Sequence, residues 1–149
     1  MSKRRPSRLP RWQELAIYAG FGMLLITGLA WLALDNWVRV AGEFGPEPHP
    51  AERVMLIAHG VGAYAFLALA GMLVPVHIPL GWRQGRNRTS GAVMIAIVMV
   101  LALTALALYY FSGDIVRHWV GLVHWIIGAG APVALAVHVI LGRRAARTD

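Results

Sequence analysis

Cysteine is absent from this chain of 149 residues. Its absence excludes disulfide bonds, thiolate zinc sites, cysteine-ligated iron–sulfur clusters and the covalent attachment of c-type haem. Charged residues are also scarce, at 14% of the chain against 58% hydrophobic residues. Because soluble domains normally carry about 25% charged residues, this composition indicates a membrane protein.

Four long apolar stretches account for most of the sequence. A helix needs roughly 20 apolar residues to cross the hydrocarbon core of a bilayer. The stretches cover residues 13–34, 53–76, 90–111 and 116–141. We therefore predict an all-α fold, in which residues 1–149 form a single integral membrane four-helix bundle. The first stretch is predicted to be a span, because its apolar run exceeds the roughly 7 to 15 residues of a signal-peptide core.

The basic residues are distributed unevenly between the predicted loops. Most of them precede the first span, separate the second from the third, or follow the fourth: Lys3, Arg4, Arg5, Arg8, Arg11, Arg83, Arg86, Arg88, Arg143, Arg144 and Arg147. The positive-inside rule then places both termini of this multi-pass protein in the cytoplasm. This segregation is typical of contact with membrane lipid and argues against a nucleic-acid partner, despite the net charge of +7.

The longest predicted loop, residues 35–52, contains three prolines between positions 45 and 50. Such a run cannot continue a helix. We predict an external connector and a docking surface for a partner.

Four of the six histidines lie within or at the end of predicted spans: His59, His77, His124 and His138. Burying a polar side chain in lipid is costly, so such residues usually face the bundle interior and mark a function. His124 and His138 are fourteen residues apart, within roughly 40° of one helix face, and His59 and His77 are separated by five whole turns. The plain alternative is that each one makes an interhelical hydrogen bond.

The predicted orientation relates these histidines in depth. The second and fourth spans run in the same direction, so His59 pairs with His124 near the outer surface and His77 with His138 near the inner one. Both spans also end in the pattern H-[IV]-x-L-G-x-R, at residues 77–83 and 138–144, which indicates a faint internal repeat.

Glycines accompany the histidines in both spans: Gly60, Gly62, Gly71, Gly121, Gly128 and Gly130. Small residues occupy little space and let helix backbones come close. A flat macrocyclic cofactor bound between the helices would need this space. The same residues are equally typical of tight helix packing, and the sequence leaves both interpretations open.

With these residues the chain resembles the membrane-bound dihaem b-type cytochromes of bacteria, the four-helix cytochrome b subunits of hydrogenases and formate dehydrogenases. The resemblance rests on the four histidines and the repeated H-[IV]-x-L-G-x-R endings. It implies two haem b groups with His59, His124, His77 and His138 as axial ligands. It also implies electron transfer between the quinone pool and a redox partner, within a respiratory or photosynthetic-type complex, with quinone as a further bound molecule.

Several other residues bear on these sites. Arg53 and Arg117 are candidates to pair with the propionates of an outer haem, and Arg83 or Arg143 with those of an inner one. The alternative is that these arginines are topology or headgroup charges. Pro75 predicts a kink near Gly71, which either directs His77 toward His138 or leaves it in a surface turn. Thr27 and Thr104 are interpreted as packing residues that bond to their own backbone.

The sequence offers no nucleophile with an adjacent base and no phosphate-binding loop, so independent catalysis is not predicted. Two alternatives from other classes stay open. One is a haem-free membrane anchor or assembly subunit, and the other is a proton relay or transporter that uses the histidines as titrating groups.

Overall fold

The computed structural model describes residues 9–85 and 87–145. These residues form five α-helices and one two-stranded sheet: α1 (Arg11–Trp37), β1 (Arg39–Gly42), β2 (Gly45–Pro48), α2 (Pro50–Gly71), α3 (His77–Arg83), α4 (Arg88–Tyr110) and α5 (Asp114–Ala145). Four helices, α1, α2, α4 and α5, are long and apolar enough to cross a membrane. The prediction of a helical protein with four candidate spans is confirmed.

The described residues separate into two compact units. The N-terminal unit, residues 9–73, holds α1, the sheet and α2, and the C-terminal unit, residues 74–145, holds α3, α4 and α5. The single four-helix domain stays a prediction. Of the basic residues used above to orient the chain, some lie outside the described residues: Lys3, Arg4, Arg5, Arg8, Arg86 and Arg147.

In the N-terminal unit, α1 packs against α2 around an aromatic pair. The rings of Phe21 and Phe66 meet edge to face with their centroids 4.8 Å apart, and both side chains are buried. Gly20 allows this approach, since a Cβ atom built on it would lie 2.8 Å from Phe66 Cδ2. The other buried side chains of this unit, Ile17 and Thr27, lie on α1.

The predicted external connector contains an antiparallel β-hairpin, which the sequence did not indicate. Arg39 pairs with Pro48 and Gly42 with Gly45. Prolines are tolerated here because the ribbon has only two strands, so each strand is an edge. Gly45 has φ of +126°, a conformation that side chains rarely adopt. Phe44, in the turn between the strands, is 93% exposed.

Arg39 and His49 join this hairpin to the adjoining helices. Arg39 donates a hydrogen bond of 2.8 Å to the carbonyl of Asp35 in α1, and its guanidinium lies 3.9 Å from the Glu52 carboxylate in α2. His49 is the N-cap of α2, because its Nδ1 accepts a 3.1 Å hydrogen bond from the Ala51 amide. Pro50 follows at the first helical position, where a missing N–H costs nothing.

The structure differs from the predicted second span, residues 53–76. α2 ends at Gly71 and α3 begins at His77, so a break replaces the predicted kink. Pro75 lacks the N–H that would continue α2. The missing N–H of Pro79 falls in the first turn of α3, where none is required. Since His59 and His77 lie on different helices, the five-turn spacing does not place them on one face.

In the C-terminal unit, α4 packs antiparallel against α5. A Cβ atom on Gly128 would lie 3.7 Å from Leu101, and one on Gly121 would lie 3.9 Å from Leu108. Ala131, three residues after Gly128, is only 2% exposed. Pro132 lies inside α5 without ending it, which is tolerated in membrane helices when neighbouring groups satisfy the freed carbonyl.

Candidate functional site

Three of the four predicted ligand histidines have their Nδ1 atom beside a hydroxyl on the neighbouring helix of the same unit. The distances to the hydroxyl oxygens are 3.1 Å for His59 with Thr27, 2.8 Å for His124 with Thr104 and 2.9 Å for His138 with Ser90. Each distance is that of a hydrogen bond. The same local arrangement therefore occurs once in the N-terminal unit and twice in the C-terminal unit.

The two pairs in the C-terminal unit follow one helical register. Thr104 and His124 lie ten residues before and after Asp114, and Ser90 and His138 lie 24 residues before and after it. In an antiparallel helix pair both chains rise about 1.5 Å per residue, so residues equidistant from the turn reach the same level. The fourteen-residue spacing of the histidines is thus matched by a fourteen-residue spacing of the hydroxyls.

His77 and His138 come together within the C-terminal unit. Their ring centroids are 6.5 Å apart and the ring planes are inclined by 77°. Two imidazoles bound to opposite sides of one metal, with metal–nitrogen bonds of about 2.0 Å, have their ring centroids roughly 6 Å apart. The separation of these rings therefore fits a bis-imidazole metal site.

His77 and His138 form a pair and not a larger cluster. Among residues 9–85 and 87–145, no group of three or more histidine or carboxylate side chains lies close enough to hold a metal ion. Two is the number of ligands that a haem takes from a protein, because the macrocycle supplies the others.

The position of His138 is fixed from α4 in two ways. Besides the contact of Ser90 with its ring, the side-chain amide of Asn87 donates a 2.9 Å hydrogen bond to the His138 carbonyl. Asn87 has φ of +57°, in the left-handed region that asparagine tolerates better than most residues. Gly91 also lies near this ring, since a Cβ atom there would be in ordinary van der Waals contact with His138 Cε1, at 3.8 Å.

His59 is enclosed by two successive residues of α1. Thr27 contacts its Nδ1, and a Cβ atom on Gly28 would lie 3.1 Å from its Cε1. His124 lies on α5 in the C-terminal unit, where its ring contacts Thr104. The pairing of His59 with His124 stays a prediction from the sequence.

The predicted arginines lie at helix ends. Arg117 donates to the carbonyl of Leu108 and, at 3.1 Å, to that of Phe111, so it caps the C-terminal end of α4. Arg53 is exposed in the first turn of α2. Arg83 and Arg143 are exposed at the ends of α3 and α5. Pairing of any of them with a propionate stays a prediction.

The glycines divide into two groups. Gly62 meets Met23 of α1, while Gly121 and Gly128 meet leucines of α4, as expected for tight helix packing. A Cβ atom on Gly60, Gly71 or Gly130 would meet no described atom within 4 Å. Only this second group fits the interpretation that glycine leaves room for a macrocycle.

Three residues of the candidate site are not predicted from the sequence to contact a histidine. Thr27 and Thr104 do bond to their own backbone, as predicted, but each also contacts a histidine. Ser90 carried no role at all. Equal distance from the loop between two antiparallel spans is the signal that finds the pairs in the C-terminal unit.

No protein-family model, curated protein sequence or solved structure matches this chain. The resemblance to dihaem b-type cytochromes therefore rests on the residues described above.

Replacing Gly28 by leucine is expected to destabilise the protein, because the new side chain must displace the His59 ring that Thr27 holds. Overpacking of this kind costs about 1–3 kcal/mol. Thermal unfolding in detergent, followed by circular dichroism, measures the effect. Gly22→Leu on the same helix is the matched control, since a Cβ atom there meets no described atom within 4 Å. Equal unfolding temperatures for the two variants would contradict the close approach of Gly28 to His59.

Proposed function

We propose that this chain is a b-type haem membrane cytochrome. It transfers electrons between the quinone pool and a redox partner, as a subunit of a respiratory or photosynthetic-type complex. The observation that carries this proposal is the separation of 6.5 Å between the His77 and His138 rings in one compact unit. The chain itself is proposed to have no independent catalytic activity.

The histidines divide into two proposed ligand pairs. His77 and His138 would hold an inner haem b, and His59 and His124, paired by their predicted depth in the membrane, would hold an outer one. A haem with both axial positions filled by imidazole exchanges single electrons and leaves no position open for oxygen or substrate. Arg53 and Arg117 are the proposed propionate partners at the outer end.

The placement of the acidic residues favours this function over a proton relay. Proton relays in membranes use chains of carboxylates and histidines within the spans. Every described acidic residue lies instead in the first or last turns of a helix or in the β-hairpin: Glu14, Asp35, Glu43, Glu47, Glu52 and Asp114. The spans thus provide imidazoles without neighbouring carboxylates, which supports electron transfer over a proton relay.

A haem-free anchor is the remaining alternative from the sequence. An anchor needs apolar spans, and the contacts of His59, His124 and His138 with hydroxyls of neighbouring helices would also serve helix packing in an anchor. The feature that supports the haem protein over an anchor is the approach of His77 to His138, with 6.5 Å between the ring centroids.

We further propose that both termini lie in the cytoplasm and that the chain resides in the bacterial inner membrane. Arg83, Arg88, Arg143 and Arg144 are exposed at one end of the C-terminal unit, and Arg117 lies at the other. The end with the larger positive charge is the cytoplasmic one by the positive-inside rule. The His77 and His138 site then lies toward the cytoplasm.

The loop 35–52 is the proposed docking surface for a periplasmic or membrane redox partner. Its β-hairpin presents Phe44 at the turn, 93% exposed, and Trp37 at its base, 78% exposed. Exposed aromatic residues are enriched at protein interfaces. The contacts of Arg39 with α1 and α2 hold this surface in place.

An absorption spectrum of the purified protein in detergent tests the proposed function. We expect a reduced-minus-oxidised spectrum of a low-spin b-type cytochrome, with two haems per chain. Carbon monoxide should leave the reduced spectrum unchanged, since both axial positions are filled. A featureless visible spectrum would exclude the proposal, and one haem per chain would remove one of the two sites.

A further inference from the structure

Each hydroxyl group beside a histidine has a single hydrogen atom, and where that hydrogen points determines the role of the hydroxyl. We propose that Thr27, Thr104 and Ser90 fix the tautomer of His59, His124 and His138, with the hydrogen on Nδ1 and the lone pair on Nε2. Where the proposed function holds, the same hydrogen bonds lower the reduction potential of the haems. The three hydroxyl residues are thus positioning residues that act through the histidines.

The hydroxyl of Thr104 takes part in three contacts. Its Oγ1 lies 2.7 Å from the Val100 carbonyl, 3.1 Å from the Leu101 carbonyl and 2.8 Å from His124 Nδ1. A hydroxyl has one hydrogen, and a carbonyl oxygen can only accept. The hydroxyl hydrogen therefore lies toward the backbone, and the hydroxyl oxygen accepts from the histidine. His124 Nδ1 must carry a hydrogen atom to donate.

Thr27 repeats this arrangement in the N-terminal unit. Its Oγ1 lies 2.8 Å from the Met23 carbonyl and 3.3 Å from the Leu24 carbonyl, and 3.1 Å from His59 Nδ1. The helix backbone again takes the hydroxyl hydrogen, so His59 Nδ1 is the donor. The contacts in the N-terminal and C-terminal units therefore both place the ring hydrogen of the contacted histidine on Nδ1.

Ser90 forms the third instance, with a different backbone partner. Its Oγ donates to the Asn87 carbonyl at 3.2 Å and lies 2.9 Å from His138 Nδ1. Because Asn87 also donates to the His138 carbonyl, the start of α4 holds both the backbone and the ring of this histidine. The ring cannot turn to exchange its nitrogens without losing the hydrogen bond to Ser90.

The chemical consequence concerns the second ring nitrogen. A neutral imidazole with its hydrogen on Nδ1 has its lone pair on Nε2, and only a lone pair can bind a metal. Donation from Nδ1–H to an oxygen also makes the ring a stronger electron donor. A stronger donor stabilises the ferric form of a haem more than the ferrous form, which lowers the reduction potential.

Two replacements of Thr104 separate this role from packing. Thr104→Val keeps the shape of the side chain but removes the oxygen, and Thr104→Ser keeps the oxygen. Nitrogen-15 NMR of histidine-labelled full-length protein, as purified and reduced, shows which ring nitrogen of His124 carries the hydrogen. We expect Nδ1–H in the unmodified protein and in Thr104→Ser. In Thr104→Val its signal should shift or be lost through exchange with solvent.

Redox titration of the same variants tests the effect on potential. The outer haem of Thr104→Val should titrate at a higher potential, and Thr104→Ser should restore the original value. Each tenfold change in the ratio of ferric to ferrous affinity shifts a one-electron potential by about 59 mV. Haem content should be equal in the three proteins, since a packing defect alone would lower it without moving the potential in this direction.

The outcomes distinguish this inference from the proposed function. A hydrogen on Nε2 of His124 in the unmodified protein would overturn the inference, whatever the haem content. Equal potentials for Thr104→Val and the unmodified protein would also overturn the role in tuning. A haem-free protein with hydrogen on Nδ1 would support the tautomer assignment while excluding the proposed cytochrome.

Discussion

The His138→Ala variant is expected to bind one haem per chain instead of two. His138 and His77 are the imidazoles that the structure places 6.5 Å apart, and alanine removes one of the two axial nitrogens. Changing a residue that only supports a ligand costs about 10–100-fold in metal affinity, so loss of a ligand should cost more and empty the inner site. Haem quantified per chain by absorption, together with redox titration, measures the change.

Two further variants sharpen this test. His77→Ala should lose the same haem, identified by its reduction potential, because either histidine alone leaves an axial position empty. His138→Met keeps an axial ligand and should raise the potential of the inner haem, since methionine ligation favours the ferrous form. His118→Ala is the matched control, because His118 is exposed at the start of α5 and its ring lies against Trp119. Retention of both haems in His138→Ala would contradict the inner site.

His59→Ala and His124→Ala are expected to lose the other haem, and each should lose the same one. These two residues form the proposed outer pair, because the positive-inside rule predicts equal depth for them on two parallel spans. The variant that combines His59→Ala with His124→Ala should therefore bind one haem, as each single variant does. Combining His59→Ala with His138→Ala should instead leave no haem, because one ligand of each pair is removed.

This comparison tests the pairing directly. If only one of the two single variants loses a haem, or if each loses a different one, His59 and His124 do not share a site. Circular dichroism and the yield of detergent-extracted protein establish that each variant still folds. His118→Ala again supplies the reference for a histidine replacement that leaves both sites intact.

Part of the candidate site could have been predicted from the helix periodicity alone. His124 and His138 share one face of α5, as their spacing predicted. The hydroxyls of Thr104 and Ser90 could also have been found, because they lie as far before Asp114 as the two histidines lie after it. That both hydroxyls contact the histidine rings could not, since these contacts depend on the rotation of α4 about its own axis.

The second predicted span, residues 53–76, shows what the sequence could not decide. Pro75 predicted a disturbance near Gly71, but not whether the helix would bend or end. Pro132 in α5 has the same lack of an N–H, and yet α5 continues through it. The difference lies in the neighbourhood, because Pro79 follows Pro75 closely enough to favour a new helix start at His77.

The length of the four apolar stretches and the scarcity of charge within them were sufficient to predict four helices able to cross a membrane. The reason is that the thickness of the bilayer fixes how many apolar residues a span requires. The folded chain was needed to show that His77 begins a separate helix and lies beside His138, that the connector forms a β-hairpin, and that three histidines contact hydroxyls. The contacts of the histidines depend on how helix faces are rotated toward one another. Helix rotation is set by contacts between residues far apart in the chain, which spacing along one span does not encode.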